Sequence, residues 1–205
     1  HGGCRQVRAG GDEVLDLALE HPEKLHHLQR LFLLEASKYG VFPLDDRAVE
    51  RFDAAMAGRP TLIKGSSQKL FPGMGRLTEN TVLNLKNRSH SITAEITVGG
   101  DPAEGVIVAQ GGAFAGWSLY LHEGRLTYCY NLLGLGRAKV SGTDVVPAGT
   151  HQVRMEFSYD GGGLGRGADV ALFVDGDQTG AGRLEGTVPL LFSADETLDV
   201  GADTA

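Results

Sequence analysis

Two cysteines in 205 residues leave no disulfide framework to organise this chain. Cys4 lies at the extreme start and Cys129 inside a strand-like run, so no bridge is expected between them. No apolar stretch approaches the ~20 residues that a membrane-spanning helix needs. No Lys/Arg cluster exceeds a few residues and the net charge is -7, which argues against a nucleic-acid partner. Chemistry-bearing motifs are missing as well: there is no P-loop, no Cys-x-x-Cys, no His-Glu-x-x-His and no nucleophile elbow. No repeat of solenoid length is present. The chain opens on His1 rather than Met and shows no signal peptide, so the reading places the true N-terminus upstream and leans towards the cytoplasm.

What is abundant is alternation broken by glycine. Ile92, Ala94, Ile96 and Val98 alternate with Thr93, Glu95 and Thr97, the period-2 pattern of a strand with one buried face. Trp117, Leu119 and Leu121 repeat the pattern, and Leu126, Tyr128 and Tyr130 continue it beyond the Glu123-Gly124 turn. Further strands are expected at Gly105–Gln110, at Val153–Tyr159, where Val153, Met155, Phe157 and Tyr159 alternate with Arg154, Glu156 and Ser158, at Val170–Val174, and at Pro189–Ser193. The 30 glycines fall mostly between these runs and mark turns. Short strands at regular spacing with Gly/Asp turns predict a mainly β fold, an antiparallel β-sandwich.

A helical segment and a linker precede it. Leu25, Leu28, Phe32, Ala36 and Tyr39 recur at steps of three and four, with Pro22 suited to the first turn and Gly40 to the stop. Leu31, Leu33 and Leu34 widen the stripe beyond one face, so the helix is expected to pack against something larger. A short second helix is expected behind an Asp45 or Asp46 N-cap, carrying Val49, Phe52 and Met56. Domain boundaries are placed at residues 1–58 for the helical part with its linker and 59–205 for the sandwich.

Several patterns hint at chemistry and have plainer readings. Gly163-Leu164-Gly165-Arg166-Gly167-Ala168 fits the G-x-G-x-x-A dinucleotide fingerprint, but residues 169–174 read as a strand where phosphate binding needs a helix; a glycine loop is expected. Asp175-Gly176-Asp177 and Asp45-Asp46 could offer carboxylates to calcium, which wants six to eight converging oxygens; a hairpin turn and a helix cap account for them. His21, His26 and His27 lack metal-ligand spacing. Asn87-Arg88-Ser89 is a glycosylation sequon, a triplet common by chance. Trp117, Tyr128 and Tyr130 share the parity of core neighbours, whereas Tyr120 has the opposite parity and faces out.

Longer segments carry a resemblance. DLALEHPEKLHHLQRLFLLEASKYGVFPLDDR (residues 16–47) resembles the closing helical segment of the catalytic region in long bacterial arylsulfatases. FPGMGRLTEN, LKNRSHSITAEI, VIVAQGGAFAGWSLYLHEGRLTYCYNLLG, FSYDGGGLGRGADVALFVDG and FSADETLDVGADT resemble, in order, the β-sandwich tail of the same enzymes. The resemblance implies that a complete enzyme hydrolyses sulfate monoesters, using a formylglycine made from the Cys of a C-x-P-S-R-like motif and a calcium ion. Cys4-Arg5-Gln6-Val7-Arg8 departs from that motif at Gln6, and Asp45-Asp46 belongs to the linker rather than to a metal site.

The leading expectation is therefore a non-catalytic C-terminal fragment of an arylsulfatase, with no catalytic, cofactor-binding or metal residue of its own and with calcium confined to the complete enzyme. Its partner would be the missing catalytic domain in cis, docked on Leu25, Leu28, Leu31, Phe32 and Leu34; self-association through that apolar helix is the expected consequence of the domain's loss. Nucleic acid and membranes are not expected partners. The resemblance also implies a further C-terminal strand beyond Ala205. The rival expectation is a free-standing glycan-binding module of the laminin-G or concanavalin-like kind, with Tyr120, Asp175 and Asp177 as contacts.

Overall fold

The computed structural model describes residues 17–44, 57–58, 62–100 and 102–204. The expected second helix around residues 45–56, and Cys4, lie outside them. The chain divides into two compact units, residues 1–46 and 47–205.

The described part of the first unit is built on one helix, α1 (Pro22–Lys38), close to the Pro22–Tyr39 span read from the periodicity. Pro22 opens it where a missing N–H costs nothing, with Glu23 in the first turn and Lys38 in the last to complement the helix dipole. Gly40, at φ +65°, ends it: Val41 N–H donates to the Ala36 carbonyl (2.8 Å) and Gly40 N–H to that of Ser37, the paired closure of a Schellman motif. Phe42 then turns edge-on to Phe32, centroids 6.0 Å apart. Ala36 is the buried residue of the helix; Leu25, Leu28, Leu31, Phe32 and Leu34 are all exposed, from 37% for Leu25 to 69% for Leu34.

The second unit is the antiparallel sandwich. Its strands are β1 (His90–Val98), β2 (Gly105–Gly111), β3 (Gly116–His122), β4 (Arg125–Leu132), β5 (Gly136–Ser141), β6 (Gly149–Tyr159), β7 (Ala168–Val174), β8 (Asp177–Leu184) and β9 (Leu198–Val200). They form a four-stranded sheet, β1-β6-β7-β8, and a five-stranded sheet, β5-β4-β3-β2-β9. Their inner faces meet in one apolar cluster. Trp117, Leu119, Leu126 and Tyr128 come from one sheet, and Val153, Met155, Val170 and Leu172 from the other. Tyr130 touches Phe157 across the gap, centroids 6.2 Å apart. Fully burying a side chain of this size contributes roughly 1.5–3 kcal/mol, so this cluster is what holds the sheets face to face.

The sandwich closes along one side, where β5 meets β8. Thr143 N–H donates to the Thr179 carbonyl (2.8 Å). A Cβ on Gly180 would stand 2.7 Å from the Ser141 carbonyl oxygen, and one on Gly182 would strike Val140 at 2.5 Å. Glycine is required at Gly180 because the strand backbones approach so closely, and at Gly182 because the Val140 side chain fills the space a Cβ would take.

One expected strand is corrected. Residues 189–193 form no strand. The backbone groups of this segment are taken by side chains: Val188 N–H donates to the Tyr130 hydroxyl (2.8 Å), Phe192 N–H to Glu79 (3.0 Å), and the Pro189 carbonyl accepts from Asn87 Nδ2 (2.6 Å). Val188 and Phe192 are buried, so the apolar run is a loop that plugs the core. Glu79, on a single 3₁₀ turn (Glu79–Thr81), also pairs with the buried Lys86, whose ammonium lies 5.2 Å from the Phe192 ring centre.

Candidate functional site

The outer face of the four-stranded sheet carries side chains in cross-strand rows. Ser158, Asp169 and Arg183 form one row; Glu156, Ala171 and Ala181 form the next; Arg154 and Phe173 follow. In the middle row Ala171 and Ala181 have methyl groups where the same strands carry Phe173 and Arg183 in the flanking rows. Adjacent rows on one face are two residues apart, so the flanking rows stand roughly 13 Å from one another. A trough of about 420 Å³ results, lined by Glu156, Ser158, Asp169, Val170, Ala171, Ala181, Gly182 and Arg183.

Its walls are fixed by charge pairing. Arg183 forks onto Asp160, Nη1 to Oδ1 at 2.8 Å and Nη2 to Oδ2 at 2.5 Å, and reaches Asp169 at 3.4 Å. The fork holds the Asp160 carboxyl below the usual carboxylate range and pushes the guanidinium pKa further up. Such bidentate pairs add geometric definition to energy. Arg154 pairs with Glu156 at 3.1 Å and lies 4.3 Å over the Phe173 ring. Both guanidinium groups are thus partnered within the protein. What the trough offers a ligand is carboxylate and hydroxyl oxygens, the Arg183 guanidinium and an apolar floor.

A second, smaller hollow of about 220 Å³ is lined by Arg76, Asp195, Glu196, Thr197 and Thr204 at the β9 end of the other sheet. The carboxylate beside it, Asp199, is buried, which pushes its pKa up. Hydrogen bonds from the Thr204 hydroxyl (2.6 Å), the Arg76 N–H (2.6 Å) and the Thr204 N–H outweigh burial and hold the carboxyl below its usual range. Asp199 is therefore occupied in tying the 73–77 segment to β9, beside the Leu77–Leu198 bridge. Among the described residues no group of three or more His, Cys, Asp and Glu is placed to hold a metal ion.

The residues chosen from sequence fall in different places. Tyr120 is half-buried on β3, in the five-stranded sheet, 6.3 Å from the His122 ring. Asp175 sits in the turn between β7 and β8 as expected; its carboxylate accepts from His151 Nδ1 (2.7 Å) and Gln152 N–H (2.9 Å), and the histidine bond and then the amide hold its pKa down. Asp177 begins β8. These three are not gathered into one site. Trp117, Tyr128 and Tyr130 are buried in the core, as their parity indicates.

The glycine motif is a loop running directly into β7, with no helix behind it. It is latched by Asn87, whose Oδ1 accepts from Gly165 N–H (2.8 Å), and by Tyr159, whose hydroxyl donates to the Gly163 carbonyl (2.5 Å) and accepts from Arg166 N–H (2.9 Å). The sequon asparagine is thus a structural clasp, with Nδ2 committed to Pro189. Sequence reasoning does not find the trough; its one signal there is the alternation that turns Arg154, Glu156 and Ser158 outward.

No protein-family model matches the chain, and no curated protein matches it. Among solved structures it is similar to domains LG4-5 of the mouse laminin alpha1 chain, with 22% identity and a TM-score of 0.45. That match covers 63% of this chain and 32% of the laminin chain, so it spans about a third of the latter's length.

Proposed function

We propose that this chain is a non-catalytic binding module whose four-stranded sheet takes a neutral oligosaccharide in the trough lined by Glu156, Ser158, Asp169, Ala171, Ala181 and Arg183. The observation that carries the reading is the trough: a small-residue floor at Ala171 and Ala181 between walls of carboxylate, hydroxyl and guanidinium. A pyranose ring presents hydroxyl groups at its edges and C–H groups on its faces, and the trough matches both, with edge groups in the walls and methyl groups below. Specificity in such a site comes from a few placed polar groups around apolar contact area. The charge balance favours a neutral sugar over a sulfated one. Arg183 and Arg154 are paired with Asp160 and Glu156, Asp169 adds a further acid, and the whole chain is at -7.

Calorimetric titration with neutral oligosaccharides tests this. Binding should be saturable and should be lost in Ala171→Leu, which fills the floor while its outward position spares the core. Absence of binding at millimolar ligand, or full retention in Ala171→Leu, overturns the reading.

The arylsulfatase parentage implied by the resemblance is a proposal about context: the module would ride on a catalytic domain whose surface covers Leu25, Leu28, Leu31, Phe32 and Leu34. Two of the resembling segments, residues 71–80 and 192–204, join each other through the Leu77–Leu198 bridge and the Arg76–Asp199 bond. A chromogenic aryl sulfate with calcium should not be turned over by this chain alone; turnover abolished by Cys4→Ala would contradict its assignment as non-catalytic.

A further inference from the structure

Sheet edges present unpaired backbone N–H and C=O groups, and proteins blunt them with closure, shortness, bulges, charge or proline. Three of the four edges here are managed. β5 and β8 close on each other through the Thr143–Thr179 bond and the Gly180 and Gly182 contacts, and β8 carries a register shift against β7. β9 is three residues long and is capped by the 73–77 segment. β1 has only one of these devices, the single charge of Glu95. It runs nine residues, His90-Ser-Ile-Thr-Ala-Glu-Ile-Thr-Val98, in unbroken register with β6, without proline or lysine. Among the described residues nothing pairs with its other edge. Its inward residues Ile92, Ala94 and Ile96 are only half-buried, so apolar surface accompanies the free backbone.

The sequence of this edge is complementary to itself. A two-fold axis through Ala94 is the centre that pairs all nine residues antiparallel. It sets Ile92 against Ile96 of the second copy and Ala94 against Ala94 on the inner face. On the outer face Thr93 meets Glu95 and Ser91 meets Thr97, so no like charges stand directly opposite. Antiparallel pairing over this length forms roughly eight to ten backbone hydrogen bonds, comparable with the ~10 of a typical protein interface.

We infer that β1 is a homodimer interface: a second copy of this chain adds edge to edge, joining two four-stranded sheets into one continuous sheet. This stands on the edge geometry and not on the saccharide reading. If both hold, the two troughs lie on the same face, five strand spacings or roughly 24 Å apart across the strands, a spacing suited to bivalent capture of a long glycan.

Sedimentation velocity on the full chain over a wide concentration range, with hydrogen exchange of β1, tests the inference. The expected result is a reversible dimer with concentration-dependent protection of alternate amides in residues 90–98. Thr93→Glu, a change at an exposed position that sets a second carboxylate opposite Glu95 twice per dimer, should weaken dimerisation at least tenfold. The charge swap Thr93→Glu with Glu95→Lys should restore it to within about threefold. Circular dichroism and the melting temperature of monomer should be alike in all variants. A monomer at every concentration, or a dimer indifferent to Thr93→Glu, overturns the inference. So does a dimer that Leu28→Ser and Phe32→Ser on α1 dissolve while β1 amides stay unprotected.

Discussion

Tyr128 and Tyr130 lie two residues apart on β4, both inward and both buried, yet their hydroxyl groups are in opposite situations. The Tyr130 hydroxyl accepts the Val188 N–H at 2.8 Å. The Tyr128 hydroxyl, on a side chain only 1% exposed, has no hydrogen-bond partner among the described residues. A buried polar group left unpaired costs about 1–3 kcal/mol. Tyr128→Phe removes such a group and keeps the ring that packs against Trp117, so stability should be unchanged or should rise by up to about 2 kcal/mol. Tyr130→Phe creates such a group, because Val188 is 1% exposed and its amide then has nothing to donate to. It should cost about 1–3 kcal/mol. Burial raises both phenol pKa values above 10, and for Tyr130 the bond from the Val188 amide offsets part of that rise. Thermal unfolding of the two variants side by side reads the difference. At about 2–4 °C per kcal/mol for a domain of this size, the two melting temperatures should separate clearly. Equal destabilisation by both substitutions would refute the reasoning, because it would mean that the Tyr128 hydroxyl is satisfied in the folded state.

Asn87→Ala should lower stability by roughly 2–3 kcal/mol, since it breaks the bonds to Pro189 and Gly165; Asn87→Gly should fare slightly better because the residue sits at φ +56°. For the same reason Asn87 should carry no glycan when the chain is expressed through a secretory pathway, as intact mass will show. Asp160, Asp175 and Asp199 all have depressed carboxyl pKa values in the folded state. The unfolded chain therefore binds more protons in acid, so their contribution is complete above the ordinary pKa near 3.9 and is lost as pH falls through the folded values. A melting-temperature series from pH 6 downward should show a decline beginning near pH 4, and Asp199→Asn should flatten part of it. Gly182→Ala should cost about 1–3 kcal/mol by driving a methyl group into Val140 at the β5–β8 closure.

How far the sequence foretold this structure differs from element to element. β1, β3, β4, β6 and β7 were legible because each buries one face, and alternation records that directly. The stop of α1 was legible because Gly40 is required in a left-handed conformation. β8 was not, because Gly180 and Gly182 occupy the inward positions where apolar side chains would have signalled a strand. Residues 189–193 misled for the converse reason: Val188 and Phe192 are buried, but through side-chain clasps rather than a ladder. The trough was hidden because its defining feature is missing bulk at Ala171 and Ala181. A search for chemistry-bearing residues picks out Tyr120, Asp175 and Asp177 instead; Tyr120 lies on the five-stranded sheet, Asp175 in the β7–β8 turn and Asp177 at the start of β8.

The most direct test of the central claim is a titration of ¹⁵N-labelled protein with a neutral oligosaccharide, followed by amide chemical-shift changes residue by residue. The account predicts saturable shifts concentrated at Glu156, Ser158, Asp169, Ala171, Ala181 and Arg183, with the five-stranded sheet silent. Shifts centred on Tyr120 and His122, or none at millimolar sugar, would contradict it.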